Sequence, residues 1–178
     1  MKKIKTNIKG LIILKGKTFY DARGFLRETF KKKIIKKNLI FTIISKSNKN
    51  VLRGLHLQTK NAQDKYISVL KGKILDVAVD LRKNSKTFGK HFKLIISEKN
   101  SKSFFIPKGF AHGFLGLDKE NIVLYGCTNY RSKNHEVSLL WNDPDLKINW
   151  GVKKPILSSK DNNAITLKRF LRNKWKEN

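Results

Sequence analysis

The chain is a succession of short strand-like runs broken by turn residues, with no long helical periodicity before about its last 20 residues. That pattern restricts it to an all-β sandwich or barrel. The middle is the clearest stretch. Tyr66 to Leu70 runs into Lys71-Gly72-Lys73, a hairpin-like turn, and Ile74 to Asp80 follows with Leu75, Val77 and Val79 on one face. This predicts a pair of neighbouring strands. Further runs at Phe92 to Ser97, Ser103 to Ile106, Gly113 to Leu117 and Asn121 to Cys127 are punctuated by Glu98-Lys99-Asn100, Pro107-Lys108-Gly109 and Asp118-Lys119-Glu120. Such spacing fits a double-sheet jelly roll. Lys31 to Asn38 has the composition of a short helix with Lys on most of its surface. From Asp161 onward, Ile165, Phe170, Leu171 and Trp175 fall on one helical face. The tail, about 158–178, is therefore expected to dock as one helix or two short ones.

Length, charge and cysteine use narrow the function. The 178 residues fit one domain, 1–178, large enough to bury a substantial core. No run of about 18 apolar residues is present to span a bilayer, and the start, MKKIKTNIKGLIIL, lacks the apolar stretch and cleavage site of a signal peptide. A cytoplasmic protein with no membrane partner is expected. The single cysteine, Cys127, excludes an intrachain disulfide and a Cys-rich zinc site, and its apolar surroundings in the sequence predict a buried, inert thiol. The formal charge of +27 invites a nucleic-acid reading. Its distribution argues against one, because the basic residues run from Lys2 to Lys176, are mostly Lys, and accompany no recognisable nucleic-acid-binding segment. A phosphate-bearing small substrate would still benefit from the field.

Three segments look too specialised to be turns alone. In Val51 to Gln58 an apolar strand frame carries Arg53, His56 and Gln58. Arg53 and His56 are an odd number of residues apart, so a regular strand sends them to opposite faces. Gly54 must bend or bulge the strand if both serve one site; otherwise they are a surface Arg and a satisfied core His. In Pro107 to Phe114, glycines flank His112 between two Phe residues, which fits either a pocket wall or a core turn. Near the tail, Ser158 with Asp161 three residues later reads as a helix-entry cap. Only four histidines are present, and none sits at the i+2 or i+4 spacing that pairs metal ligands on one element, so no metal is expected.

Taken together with Asp21-Ala22-Arg23-Gly24-Phe25 and Glu28, Asp80-Leu81-Arg82 with Ser85 to Gly89, and Trp141-Asn142-Asp143-Pro144, these segments resemble the dTDP-4-dehydrorhamnose 3,5-epimerase family over nearly the whole chain. The resemblance implies a cupin-type jelly roll with short C-terminal helices, forming a homodimer that exchanges N-terminal strands. It implies epimerisation at C3 and C5 of dTDP-4-dehydro-6-deoxy-D-glucose to dTDP-4-dehydro-L-rhamnose, toward dTDP-L-rhamnose and surface polysaccharide, without cofactor or metal. Position by position, His56 matches the general base, Asp161 its dyad partner, Tyr125 the general acid and Lys65 the lysine near the keto oxygen. Arg23, Glu28, Arg53, His112, Glu136 and Lys160 match positions that contact substrate, some of them from the neighbouring subunit.

The sequence departs from the family pattern at three places. Phe41 and Ile43 stand where the family has a Gln and an Asn that touch the nucleotide. Arg131 replaces a second family tyrosine, with Tyr130 beside it and able to substitute if the backbone shifts by one residue. These changes motivate an alternative, a C3-only or C5-only epimerase or a 3,4-ketoisomerase of a related nucleotide 4-keto sugar.

Overall fold

The computed structural model describes residues 1–173. In chain order it places β1 (Lys2–Lys5), β2 (Ile12–Lys15), β3 (Thr18–Asp21), β4 (Gly24–Arg27), α1 (Lys32–Ile35), β5 (Phe41–Asn48), β6 (Leu52–Gln58), β7 (Lys65–Lys71), β8 (Lys73–Asp80), β9 (His91–Ser97), β10 (Lys102–Ile106), β11 (Phe110–Gly116), β12 (Glu120–Cys127), β13 (Glu136–Ser138), α2 (Ser159–Asn162) and α3 (Leu167–Arg172). Two antiparallel sheets form the body, a six-stranded one ordered β1-β2-β10-β7-β12-β5 and a five-stranded one ordered β13-β6-β11-β8-β9. Strands β3 and β4 form a separate hairpin. This is the jelly roll that the strand spacing predicts.

The expected pairing of β7 with β8 is not made, because the two strands lie in opposite sheets. Only Gly72 separates them, one residue too few for the two-residue loop of a tight hairpin. Gly72 adopts φ +80°, and a Cβ there would lie 2.2 Å from the Glu120 carbonyl oxygen. The chain thus folds over the rim, and Ile67 and Val69 of β7 meet Ile74 and Ala78 of β8 across the interior.

Both sheets are also covered on their outer faces. Leu146, Ile148, Trp150, Leu167 and Phe170 pack against Leu55, Val77, Val79 and Leu115 of the five-stranded sheet. Ile35 of α1 packs with Leu14, Tyr66 and Phe105 on the six-stranded sheet. Strands buried on two faces lose the strict apolar–polar alternation, which is why β7, β8 and β11 read as nearly continuous apolar runs. The tail forms two short helices, but α3 buries Leu167 and Phe170 and leaves Leu171 half exposed. Ile165 lies before the helix and bridges to Leu139. Of the expected face, Ile165 and Phe170 pack against the outer apolar layer while Leu171 turns away, since a break after α2 resets the helical phase; Trp175 lies outside the described residues.

Two buried carboxylates set the loops. Asp143 accepts the N–H groups of Asp145 and Leu146 on Oδ1, and that of Leu167 at 2.7 Å on Oδ2, tying the outer layer to the start of α3. Burial works to raise the Asp80 pKa, but bonds from Arg82, Ser85 and Thr87 outweigh it and hold the carboxyl down to about 2.

Strand β6 carries the irregularity that a shared site for Arg53 and His56 requires. Its pairing with β11 slips between His112 and Phe114. Gly54, at φ +107°, takes up the slip, and a Cβ there would lie 2.6 Å from the His112 carbonyl oxygen and 2.7 Å from Gly113 Cα. Beyond the slip, Leu52, Leu55 and Leu57 share the outer apolar layer, while Arg53, His56 and Gln58 line one cavity.

A Gly54→Ala variant should lose about 2 kcal/mol or more of stability from strain and overpacking, read as a lower urea midpoint. An unchanged midpoint would show that β6 can yield there. Asp143→Ala should lose about 1–3 kcal/mol by leaving buried N–H groups unbonded, and a Tm equal to wild type would contradict that assignment.

Candidate active site

His56 sits on β6 with its Nε2 2.6 Å from Asp161 Oδ1. Asp161 belongs to α2, one turn past Ser158, whose hydroxyl accepts the Asp161 N–H at 3.1 Å and donates to Oδ2 at 2.9 Å. The helix-entry cap read from the sequence is thus also what aims the carboxylate. Burial works to raise the Asp161 pKa, but the hydrogen bond and charge of His56 prevail, helped by Ser158 and the Gly54 N–H, and the net position is below the usual carboxylate value. With Nε2 committed to Asp161, the nitrogen left to take a proton is Nδ1.

The opposite wall comes from the other sheet. Tyr125 and Cys127 on β12 and Lys65 at the start of β7 line the same cavity of about 530 Å³. Burial pushes the Tyr125 phenol well above its ordinary pKa, with the Ser45 hydroxyl opposing and the Asp76 charge adding to the rise. The phenol therefore stays protonated at neutral pH. Burial lowers the Lys65 ammonium pKa, opposed by Cys127, Glu136 and Asp76. Cys127 is a free, buried thiol whose pKa burial raises, in keeping with an inert group.

Behind the Tyr125 ring lies a buried pair of which the sequence singles out only His112. His112 Nε2 is 3.0 Å from both oxygens of Asp76, both residues are buried, and the His112 ring meets Tyr125 edge-on at 6.2 Å. His112 is not among the residues that line the cavity; it supports the wall from within. Asp76 was missed. The signal was there, because the alternation that places Leu75, Val77 and Val79 on the outer face puts Asp76 inward, where a carboxylate needs a partner.

At the rim, Glu136 on β13 receives Arg131 Nη2 at 2.7 Å, Arg131 Nε at 3.0 Å and Lys160 Nζ at 3.0 Å, all on Oε2. Its Oε1 faces His56 Nδ1 at 4.0 Å. Burial tends to raise the Glu136 pKa, but Arg131 and Lys160 outweigh it and keep the group below the usual value. Arg53 is braced by Ser47 and the Lys46 carbonyl, each at 2.9 Å. Arg53, Lys65, Arg131 and Lys160 thus face two carboxylates, Glu136 and Asp161, across the cavity, an excess of positive charge suited to a diphosphate.

Two predicted contacts lie elsewhere. Arg23 is at the tip of the β3–β4 hairpin, its side chain 90% exposed and paired with Asp21, and Glu28 pairs with Lys31. Neither reaches this chain's own cavity. Tyr130 does not line this cavity either: Arg131 does, and Tyr130 is exposed with its ring against Phe41. Ile43 lines the cavity beside Ser45. A larger cleft of about 820 Å³ between Lys9, Arg82 and Lys108 contains none of His56, Tyr125 or Asp161. Among the described residues, no three His, Cys, Asp or Glu side chains are grouped to hold a metal, and no helix is long and apolar enough to cross a membrane.

The sequence model of the dTDP-4-dehydrorhamnose 3,5-epimerase family matches residues 5–169. The dTDP-4-dehydrorhamnose 3,5-epimerase of Methanothermobacter thermautotrophicus is 42% identical over 168 residues, which is 90% of this chain and 91% of that protein. The crystal structure of dTDP-4-dehydrorhamnose 3,5-epimerase from Elizabethkingia anophelis matches with a TM-score of 0.87 at 42% identity, covering 95% of this chain and 97% of that one. The dTDP-6-deoxy-D-glucose-3,5-epimerase of Legionella pneumophila, solved in complex with dTDP-4-keto-L-rhamnose, matches with a TM-score of 0.90 at 40% identity, covering 94% and 93%. With a jelly-roll fold shared at this level and a family match across most of its length, the chain belongs to the dTDP-4-dehydrorhamnose 3,5-epimerase family.

Proposed function

We propose that the chain, as one domain, converts dTDP-4-dehydro-6-deoxy-D-glucose to dTDP-4-dehydro-L-rhamnose in the cytoplasm, by proton transfer at C3 and C5. The observation that carries the mechanism is the placing of His56 and Tyr125 on facing sheets with one cavity between them. A 4-keto group acidifies the C–H bonds on both neighbouring carbons. His56 Nδ1 takes the proton, and Asp161 on Nε2 orients the ring and steadies the imidazolium. The electron pair moves into an enolate whose oxygen is stabilised by the Lys65 ammonium, a contribution worth about 3 kcal/mol for one well-placed donor. Tyr125 then gives its proton to the carbon from the other side, which inverts the centre. Arg53, with Lys160 and Arg131 at the rim, is suited to the diphosphate.

Arg23 and Glu28 enter this reading through a second copy. The β3–β4 hairpin exposes Phe19, Tyr20, Phe25 and Leu26. Strand β5 is a sheet edge carrying exposed Ile43 and Ile44. A homodimer that exchanges N-terminal strands covers both apolar surfaces and brings a second copy's Arg23 and Glu28 to the mouth of the cavity.

In D₂O with the dTDP-4-keto-6-deoxy sugar, the wild type should exchange both the C3 and C5 protons by NMR. His56→Ala should slow exchange at both carbons about 10²–10⁴-fold. Tyr125→Phe should still exchange while forming little inverted product, since His56 can return a deuteron to the face it came from. Exchange at one carbon only would make this a mono-epimerase, and no exchange would refute the assigned substrate. The exchanged dimer is tested by mixing subunits of Arg23→Ala and His56→Ala. Roughly a quarter of wild-type activity should return, because half the dimers are mixed and each has one intact site. No recovery would place Arg23 in the site of its own chain.

A further inference from the structure

A double epimerisation asks more of its base than a single one does. The first proton taken from the sugar leaves His56 as an imidazolium, and the same ring must be neutral again before it can take the second. Asp161 is a poor exit: it is buried at 3% exposure, its Oδ1 holds His56 Nε2 and its Oδ2 takes the Ser158 hydroxyl. Tyr125 is enclosed in the opposite wall and is itself the donor. Glu136 is different on each count. Its Oε1 stands 4.0 Å from Nδ1, the nitrogen that receives the substrate proton, and makes no hydrogen bond among the described residues. Its Oε2 is pinned by Arg131 and Lys160, side chains that are 49% and 43% exposed, so the carboxylate hangs between the base and the open rim.

We propose that Glu136 is the proton exit of His56, with Arg131 and Lys160 as the pivot that keeps its free oxygen turned toward Nδ1. This rests on the epimerase reading above. The cycle balances as follows. The sugar C–H proton moves to Nδ1 while its electron pair enters the enolate, and the Tyr125 proton closes the new C–H bond. The imidazolium then passes its proton to Glu136 Oε1 by a small rotation of the carboxylate, and Oε1 releases it to water at the rim. Water in the cavity returns a proton to the Tyr125 phenolate. Held below the usual carboxylate pKa by its two cations, Glu136 gives the proton up quickly instead of keeping it. Arg131 matters here because, as a cation in place of a family tyrosine, it both anchors the carboxylate and favours its ionised form.

The test compares the wild type with Glu136→Gln, an isosteric change that removes the proton acceptor, by following exchange at the two carbons in D₂O under single-turnover conditions. In the variant the second exchange should slow relative to the first by on the order of tenfold. Added formate or imidazole should restore the ratio, because a small diffusible base can take over from the missing carboxylate. If both exchanges slow by the same factor, with no response to added base, Glu136 serves binding alone and the inference is overturned. If the wild type exchanges only one carbon, the comparison is between the first turnover and later ones, with the same two outcomes. Absence of exchange in the wild type refutes the functional reading and the relay with it, whereas a Glu136→Gln variant indistinguishable from wild type refutes the relay alone.

Discussion

The site depends on a backbone contact. Strand β6 crosses β11 so closely at Gly54 that no side chain fits there, and the slip this introduces turns both Arg53 and His56 into the cavity. Without it the pleat would bury one of them among the leucines of the outer layer, where an unpaired charge or imidazole costs several kcal/mol. The Gly54 N–H also helps to hold the Asp161 pKa down, so the bend that orients His56 favours the ionised form of its partner as well. Leu52, Leu55 and Leu57 stay in the outer layer although the slip breaks their alternation, so the strand slips without losing its hydrophobic anchor.

That anchor links the stability of the fold to the geometry of the site. Asp161 is carried by the C-terminal segment, which is held against the five-stranded sheet by the outer apolar layer, by the Asp143 carboxylate and by bridges from Val51 to Ile156 and from Leu139 to Ile165. The 2.6 Å contact between His56 and Asp161 is therefore a tertiary contact across 105 residues of chain, and its precision comes from burial at a distance from the chemistry.

The sequence was most legible where a physical conflict stood out. An odd spacing between two polar residues in a strand called for a bend at Gly54 if both were to serve one site, and the bend is present. Punctuated apolar runs required two sheets, and the runs are the strands. It was least legible where local grammar is indifferent to plane or layer. Lys71-Gly72-Lys73 announces a reversal without saying that the chain changes sheet, and a jelly roll changes sheet often. The helical phase of the tail was unreadable past Asn163, where the break between α2 and α3 resets it. Of the blocks that resemble the family, Asp80 with Arg82 and Asp143 with its three N–H partners are structural staples, while β6, β12 and α2 deliver His56, Tyr125 and Asp161 to the cavity.

The two walls are kept chemically unlike by what lies behind them. Phe114, His112 and the buried Asp76 back the phenol, and an apolar setting with a negative charge nearby disfavours the phenolate, so Tyr125 keeps its proton. Carboxylates flank the imidazole, one bonded and one waiting at the rim, so positive charge arising on that side has somewhere to go. The two walls of one cavity of about 530 Å³ thus differ in their surroundings, an apolar backing behind Tyr125 and carboxylates beside His56. The proposed mechanism rests on that difference, with a sugar held between two sheets losing a proton to one face and gaining one from the other.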